Sequence, residues 1–325
     1  MQVIRFGIDL AKSVFQVHGV DASGKVVVQR QLRRAQVLAF FAKQSSALIG
    51  MEACGSAHHW ARELGKLGHE VKLMPACYVK AYVKRNKNDA RDAEACCEAV
   101  GRPTMRFVPV KSVERQCARS IHRARDLMVR QRTQISNAIR GLLYEMGLIS
   151  AKGADIPEAL LTCLTPLARQ WRALDGAIGE LGDQILAEVR QDKAAMRLMA
   201  IPGVGPITAH AVIAAIGDGR QFSSARDFAA WVGLTRKNND TGGKAKLTGH
   251  ISRAGDRGLR QLLVLGASSW LRHVRAKPDK GSAWITGLLA RRPVRVALVA
   301  QAAKTARIIW ALLAKDQEYR GPLAA

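Results

Sequence analysis

Four acids carry the strongest hint of chemistry: Asp9 in FGIDLAK, Glu52 in MEACG, and Asp89 and Asp92 in KNDARDAEA. Asp9 closes one predicted strand and Glu52 another, while a spacing of three sets Asp89 and Asp92 on one face of a helix. Converging carboxylates repel one another unless a cation neutralises them, and hard oxygen donors suit Mg²⁺ or Mn²⁺. Two such ions, about 4 Å apart, stabilise the attacking and leaving oxygens of a phosphoryl transfer. One acid in such a place is ordinarily a cap or a surface charge; four at strand ends and on one helix face point to a site. Asp21 and Glu94 are read as turn and solvent residues, and His58 and His59 as the start of a helix.

The elements that would bring these acids together are legible from hydrophobic patterning. Strands are predicted at 3–9, 14–20, 25–31, 47–52 and 70–74, helices at 35–45 and 57–67, and a hairpin turn at 21–24. The order β-β-β-α-β-α-β, followed by helices, is that of a ribonuclease-H-like domain, in which the first and fourth strands are neighbours. Asp9 and Glu52 would then emerge side by side.

Further along, 112–147 lacks proline and repeats apolar residues at helical spacing, as at Ile121, Leu127, Ile135, Ile139 and Leu142. A second helix over 166–190 would fold back on it as an antiparallel hairpin. Between 105 and 150 nine Lys or Arg face three acids, a bias that predicts an arm contacting phosphates through Arg115, Arg119, Arg123, Arg130, Arg132 and Arg140, or an oligomerising arm. A solvated charged face is the plainer reading. The remainder, 196–325, reads as helical and opens with IPGVGP, where Gly203 and Gly205 resemble the hairpin of a helix-hairpin-helix motif that brings backbone N–H groups to a phosphate. A simple interhelical turn is the alternative. An irregular basic stretch follows at 235–258, then further helices, including 293–314. Over 233–275 nine Lys or Arg face only Asp240 and Asp256, with Lys244, Lys246 and Arg253 among the expected phosphate contacts.

Composition agrees with an anionic partner. Over 325 residues, 51 Lys and Arg against 26 Asp and Glu give a net charge of +25, spread along helices rather than gathered in a tail. No apolar run of membrane-spanning length and no signal or lipidation sequence is read, so nucleic acid is expected and a membrane is not. Six cysteines show no zinc spacing and are expected as buried free thiols of a reducing cytoplasm. TGGK at 241–244 is not a P-loop, and neither a GxSxG elbow nor an HExxH pair occurs.

Taken together, FGIDLAK, MEACGSAHHWAREL, KNDARDAEA, IPGVGP and TGGKAKLTGHISRAGDRGLR resemble, in this order and over nearly the whole chain, the DEDD transposases of bacterial insertion sequences. These form the "one-ten" family; the TGGK form is similar to its "eleven-eleven" branch, and pilin-gene invertases are relatives. The resemblance implies a RuvC/ribonuclease-H-like domain over 1–104, a helical coiled-coil arm over 105–194 and a mainly helical C-terminal transposase domain over 195–325. It implies a homo-oligomer, dimer or tetramer, around a structured non-coding bridge RNA that pairs with donor and target DNA, in a cytoplasmic, nucleoid-associated setting. Asp9, Glu52, Asp89 and Asp92 match its acidic tetrad, with Mg²⁺ (or Mn²⁺) as cofactor. It also implies a serine nucleophile that forms a phosphoserine link to DNA, and here the chain departs: Asp240 stands at that position. A carboxylate there would repel the scissile phosphate, leaving three readings: an inactive variant, attack by Thr241, or entry of Ser252, which otherwise caps a helix ahead of Gly255.

The leading reading is thus an RNA-guided recombinase acting by phosphodiester transesterification without ATP. A metal-dependent RuvC-like nuclease or resolvase would use the same four acids, and a non-catalytic nucleic-acid-binding protein would fit Asp240. Phosphate neutralisation at many sites predicts binding that weakens steeply with salt.

Overall fold

The computed structural model describes residues 2–84, 88–149, 156–238, 242 and 247–321. The chain is mixed α/β and mostly helical, and it divides into two units, Met1–Glu114 and Arg115–Ala325.

In the first unit the expected element order is the observed one. Strands β1 (Arg5–Leu10), β2 (Val14–Val20) and β3 (Val26–Arg33) are followed by a short helix α1 (Val37–Phe41), then β4 (Leu48–Glu52), α2 (Ala57–Lys66), β5 (Glu70–Met74), the single turn α3 (Ala76–Val79) and α4 (Asp89–Val100). They form one five-stranded sheet in the order β3-β2-β1-β4-β5. The first three strands meander antiparallel, and β1, β4 and β5 run parallel.

Alternation along the strands sorts the two faces. Phe6, Ile8, Phe15, Val17, Ile49 and Met51 point into a core that α1 and α2 complete with Phe41, Trp60 and Leu64. The intervening positions of β1 and β4 are glycines, Gly7 paired with Gly50. Helix α4 lies directly on them: a Cβ at Gly7 would fall 2.1 Å from the Ala93 carbonyl oxygen, and one at Gly50 would fall 2.7 Å from that of Cys96. The helix meets this backbone with small residues, burying Ala93, Ala95, Cys96, Cys97 and Ala99.

The second unit is helical apart from one small ribbon. Helix α5 (Val113–Glu145) runs antiparallel to α6 (Glu158–Gln191), joined by an Arg132–Asp175 ion pair, a 2.7 Å hydrogen bond from Trp171 Nε1 to Ser136 Oγ, and a small core of Leu143, Leu160 and Leu164. Helix α6 begins eight residues before the expected start at 166. Pro166, a residue favoured in a first turn where its missing N–H costs nothing, sits inside the helix.

Then come α7 (Lys193–Met199), α8 (Pro206–Ile216), α9 (Ala225–Val232), α10 (Arg257–Ala276), α11 (Ala283–Arg291) and α12 (Val294–Ala314). Part of the stretch expected to be irregular is an antiparallel ribbon of β6 (Arg236–Asn238) and β7 (Leu247–Ile251). Contrary to the expectation of no span-length apolar run, α12 is long and apolar enough to cross a membrane. In the fold its Ala302, Ala306, Ile309 and Leu312 are spent on the core shared with α7 to α10.

Two smaller expectations also change. All six cysteines are free, but only Cys96 and Cys97 are buried; Cys77, Cys117 and Cys163 are exposed. The cap of α10 is Asp256, whose carboxylate accepts the Leu259 N–H at 3.0 Å, rather than Ser252.

Candidate functional site

The edge of the sheet where β1 ends gathers acids. Asp9 follows Gly7 on the face that carries α4, and Asp89 and Asp92 occupy the first turn of that helix. Its N-terminus is fixed by Asn88, whose side chain accepts the Arg91 N–H at 2.9 Å, and acidic side chains complement the positive end of the helix dipole. Carboxylate oxygens of Asp9, Asp89 and Asp92 lie within 4.8 Å of one another.

Glu52 ends β4 beside β1, since the parallel register pairs Ile8 with Met51 one step earlier. Its carboxylate is not among the three that meet, yet it shares their field. Cys96 lies beneath on α4, and its thiol is pushed well above the usual range, first by burial and then by the charges of Asp9, Glu52 and Asp92.

Octahedral oxygens around one Mg²⁺ at 2.0–2.1 Å stand up to about 4.2 Å apart. Three oxygen donors within 4.8 Å, with a fourth carboxylate adding to their field, come close enough that small side-chain rotations would let them hold a divalent cation.

Patterning missed two residues beside this cluster. Glu94 is not a free solvent residue: it pairs with Lys84 at 2.6 Å and ties the segment entering α4 to the helix itself. His18, on β2 opposite Gly7, is 6% exposed, and burial lowers its pKa. The alternation that put Gly7 against α4 was the signal that could have found His18. Asp21 is the turn residue it was read to be, accepting the N–H groups of Ser23 at 2.9 Å and Lys25 at 3.0 Å. His58 lies in the first turns of α2 and accepts the Lys111 N–H on Nδ1 at 3.2 Å.

The arginines expected along α5 divide by environment. Arg119 pairs with Asp256 at 2.7 Å, Arg132 with Asp175, and the Arg115 guanidinium lies against the turn at Gly217, where burial lowers its pKa. These three hold the second unit together. Arg123, Arg130 and Arg140 are exposed, Arg130 pairing along the helix with Asp126 at 3.0 Å, and Arg253 is exposed at a left-handed φ of 55°.

The two glycines of IPGVGP also differ. Gly203 (φ 84°) is pressed against Gly266 of α10, where added Cβ atoms would come within 2.6 Å and 2.0 Å of the opposing carbonyl oxygens. Its small size thus serves helix packing. Gly205 is exposed with open space around it, and it caps α8 immediately before Pro206. Asp240, Thr241, Lys244 and Lys246 lie outside the described residues.

Comparison with known proteins covers both units. Residues 195–280 match the model described as Transposase IS116/IS110/IS902 family, and residues 6–147 match a second transposase model, that of the IS110-type DEDD transposases. The chain is 49% identical to a probable family 20 transposase of Pseudomonas aeruginosa, over 98% of this chain and 99% of that protein. It is 42% identical to the transposase for insertion sequence element IS1111A of Coxiella burnetii, over 97% and 90% of the two chains. With the transposase for IS1328 of Yersinia enterocolitica the identity is 36%, over 95% and 96%.

Proposed function

The chain belongs to the IS116/IS110/IS902 family of transposases, in its eleven-eleven branch, and from that premise we propose that it is an RNA-guided recombinase that excises and inserts an insertion sequence by transesterification. The observation that carries the proposal is the meeting of Asp9 with Asp89 and Asp92 within the stretch matched by the DEDD model.

In this reading residues 1–104 form a RuvC-like domain, consistent with the 3-2-1-4-5 strand order. Residues 105–194 form the arm, and 195–325 the transposase domain with a helix-hairpin-helix-like turn. Asp9, Asp89 and Asp92, joined by Glu52, would hold Mg²⁺ or Mn²⁺. A divalent ion bound there supplies charge neutralisation for the attacking and leaving oxygens at a phosphodiester.

The chain's own residues do the rest. Lys84 and Glu94 hold the approach to α4, so that Asp89 and Asp92 keep their place opposite Asp9. The N–H groups at the start of α8, next to Gly205, and the exposed Arg123, Arg130, Arg140 and Arg253 receive backbone phosphates, and the sequence adds Lys244 and Lys246 to these contacts. Pairing of donor and target DNA with a structured bridge RNA supplies sequence choice, and a dimer or tetramer brings the strands together; the resemblance of the motifs and the +25 charge support this part. Asp240 replaces the serine expected as nucleophile and leaves the chain impaired, with Thr241 next to it as the remaining hydroxyl.

The test compares the chain with Asp240→Ser, each given the element's non-coding RNA, donor and target DNA and Mg²⁺, on a denaturing gel. A covalent protein–DNA adduct with the serine form alone is the expected result. An adduct with Asp240 in place moves the nucleophile to Thr241. Cleavage without an adduct replaces the recombinase by a metal-dependent RuvC-like nuclease or resolvase, which would use the same four acids. No reaction in either form overturns the proposal.

A further inference from the structure

Far along the chain from the acids, the second unit carries two adjoining recesses on either side of α12. The larger, about 1050 Å³, lies between α10, α12 and the segment after α12; the smaller, about 400 Å³, lies against α11. The first is as large as the upper end of the range for ligand sites, about 300–1000 Å³. Lys304, Ile308 and Ala311 line both, so the two adjoin along α12 as two parts of a groove.

Its walls combine aromatic faces with cations. Trp270 lines the larger recess, one side stacked on His273 at 5.5 Å between ring centres. Trp284 lines the smaller and is 37% exposed, with the Lys304 ammonium 4.2 Å from its ring centre. Lys280 and Arg320 add charge on one side and Arg307 on the other. Of the charged groups on the wall, Asp316 is paired with Arg197 and Lys280 with Asp279 at 3.9 Å, leaving Glu318 against Lys304, Arg307 and Arg320.

The wall of the larger recess also includes Gln301, a side chain only 8% exposed that donates to the buried hydroxyl of Thr305 at 3.3 Å. A buried amide at the wall of a cationic, aromatic groove is suited to the edge of a nucleobase. A base in a duplex hides its faces in the stack, whereas an unpaired one offers a face to tryptophan. Aromatic platforms spaced along a basic groove are the way single strands are held without dependence on sequence.

We infer that the groove formed by Trp270, Trp284, Gln301 and Lys304 binds a segment of unpaired nucleic acid by stacking its bases and neutralising its phosphates. This site is separate from the acidic cluster and from the basic residues assigned above, and it deepens the recombinase reading by giving an unpaired strand a seat on the C-terminal unit. The segment after α12 forms one wall: Asp316 anchors its start, and Tyr319 packs against the core.

The test is fluorescence anisotropy of the full chain with labelled oligothymidylate, oligouridylate, an abasic oligonucleotide of equal length and a duplex. Trp284→Ala, at a partly exposed position, should weaken binding of the unpaired oligomers about tenfold while leaving the duplex and the melting temperature unchanged. Lys304→Gln should flatten the salt dependence of single-strand binding, and Trp270→Phe, which keeps an aromatic face, should retain it. Wild-type chain should hold the abasic strand about as weakly as the Trp284→Ala variant holds oligothymidylate. A preference for one of the two base-bearing oligomers would identify the strand as DNA or RNA. Equal affinity of the wild type for abasic and base-bearing strands, or no loss in Trp284→Ala, overturns the inference. Trp284-dependent binding without any strand transfer by the Asp240→Ser form would retire the recombinase proposal and leave the groove standing, and strand transfer by that form without Trp284-dependent binding would do the reverse.

Discussion

His122 Nε2 on α5 lies 2.8 Å from His210 Nδ1 on α8, and His210 Nε2 lies 2.8 Å from a Glu188 carboxylate oxygen on α6. Because the carboxylate accepts, His210 carries its proton on Nε2 and accepts on Nδ1, and His122 donates from Nε2. One directed chain of hydrogen bonds thus pins three helices, and it works with both rings neutral. Burial first, and then the neighbouring His210, Arg125 and Arg119, bring the pKa of His122 down from 6.5 to about 4.

That depression predicts an acid-sensitive second unit. The unfolded chain takes up a proton on His122 near pH 6.5, and the folded chain resists until about pH 4. The stability contributed is complete above pH 6.5 and is lost as pH falls from there toward 4. The urea midpoint should drop across this window more in the wild type than in His122→Gln, which keeps an N–H for His210 but does not titrate. Parallel pH profiles for the two would count against the chain of hydrogen bonds.

Gly7→Ala should damage both fold and site. The new methyl meets the backbone of Ala93 and Cys97, which cannot move aside as a flexible side chain would. Overpacking of this kind costs about 1–3 kcal/mol, and any relief must lift α4 and carry Asp89 and Asp92 away from Asp9. A lower urea midpoint together with weaker Mn²⁺ binding, read by calorimetry, is the expected pair of results. Unchanged values for both would show that the contact between α4 and β1 is looser than described.

Removing single carboxylates separates metal binding from folding. Asp9→Asn and Asp92→Asn should each cut strand transfer by roughly a hundredfold or more, because residues that merely support a metal ligand already account for 10–100-fold. Without added metal any change in melting temperature should be small beside the loss of strand transfer, since relief of repulsion among converging acids offsets the interactions each carboxylate gives up. Glu52→Gln is expected to behave alike; full activity in that variant would remove Glu52 from the ligand set. The strand-transfer measurement uses the Asp240→Ser background if the parent chain is inactive.

Asp256 does two jobs, accepting the Leu259 N–H and pairing with Arg119. Its carboxyl is opposed by burial, but the Leu259 N–H and Arg119 outweigh that and hold it below the usual range. Asp256→Ala should cost roughly 2–4 kcal/mol by loss of the cap and stranding of a half-buried guanidinium. Asp256→Asn keeps the cap and should cost less. Equal losses, compared by urea unfolding, would assign the whole effect to the ion pair.

Much of the first unit was legible because strand periodicity is local: β2 and β5 begin and end where alternation predicts, and the meander is marked by its turn at Asp21. The meeting of Asp9 with Asp89 and Asp92 follows from a strand end and a three-residue helical spacing. What escaped depends on distant partners. Gly203 looks like a ligand-binding glycine until Gly266, far along the chain, is brought against it. Arg119 and Arg132 look like members of a phosphate-binding face until Asp256 and Asp175 claim them. Pro166 concealed the first turns of α6, and the β6–β7 ribbon is too short to show a period.

The bare backbone contact of α4 with Gly7 and Gly50 has a consequence for ionic selectivity. Side chains can rotate to widen a binding cavity, but a helix resting on glycine Cα atoms cannot come closer, and moving it outward would empty the layer beneath it. The gap between Asp9 and the first turn of α4 is therefore gauged by main-chain thickness. Such a rigid gauge would choose among divalent cations by bond length, because the gap can neither close on an ion too small for it nor open for one too large.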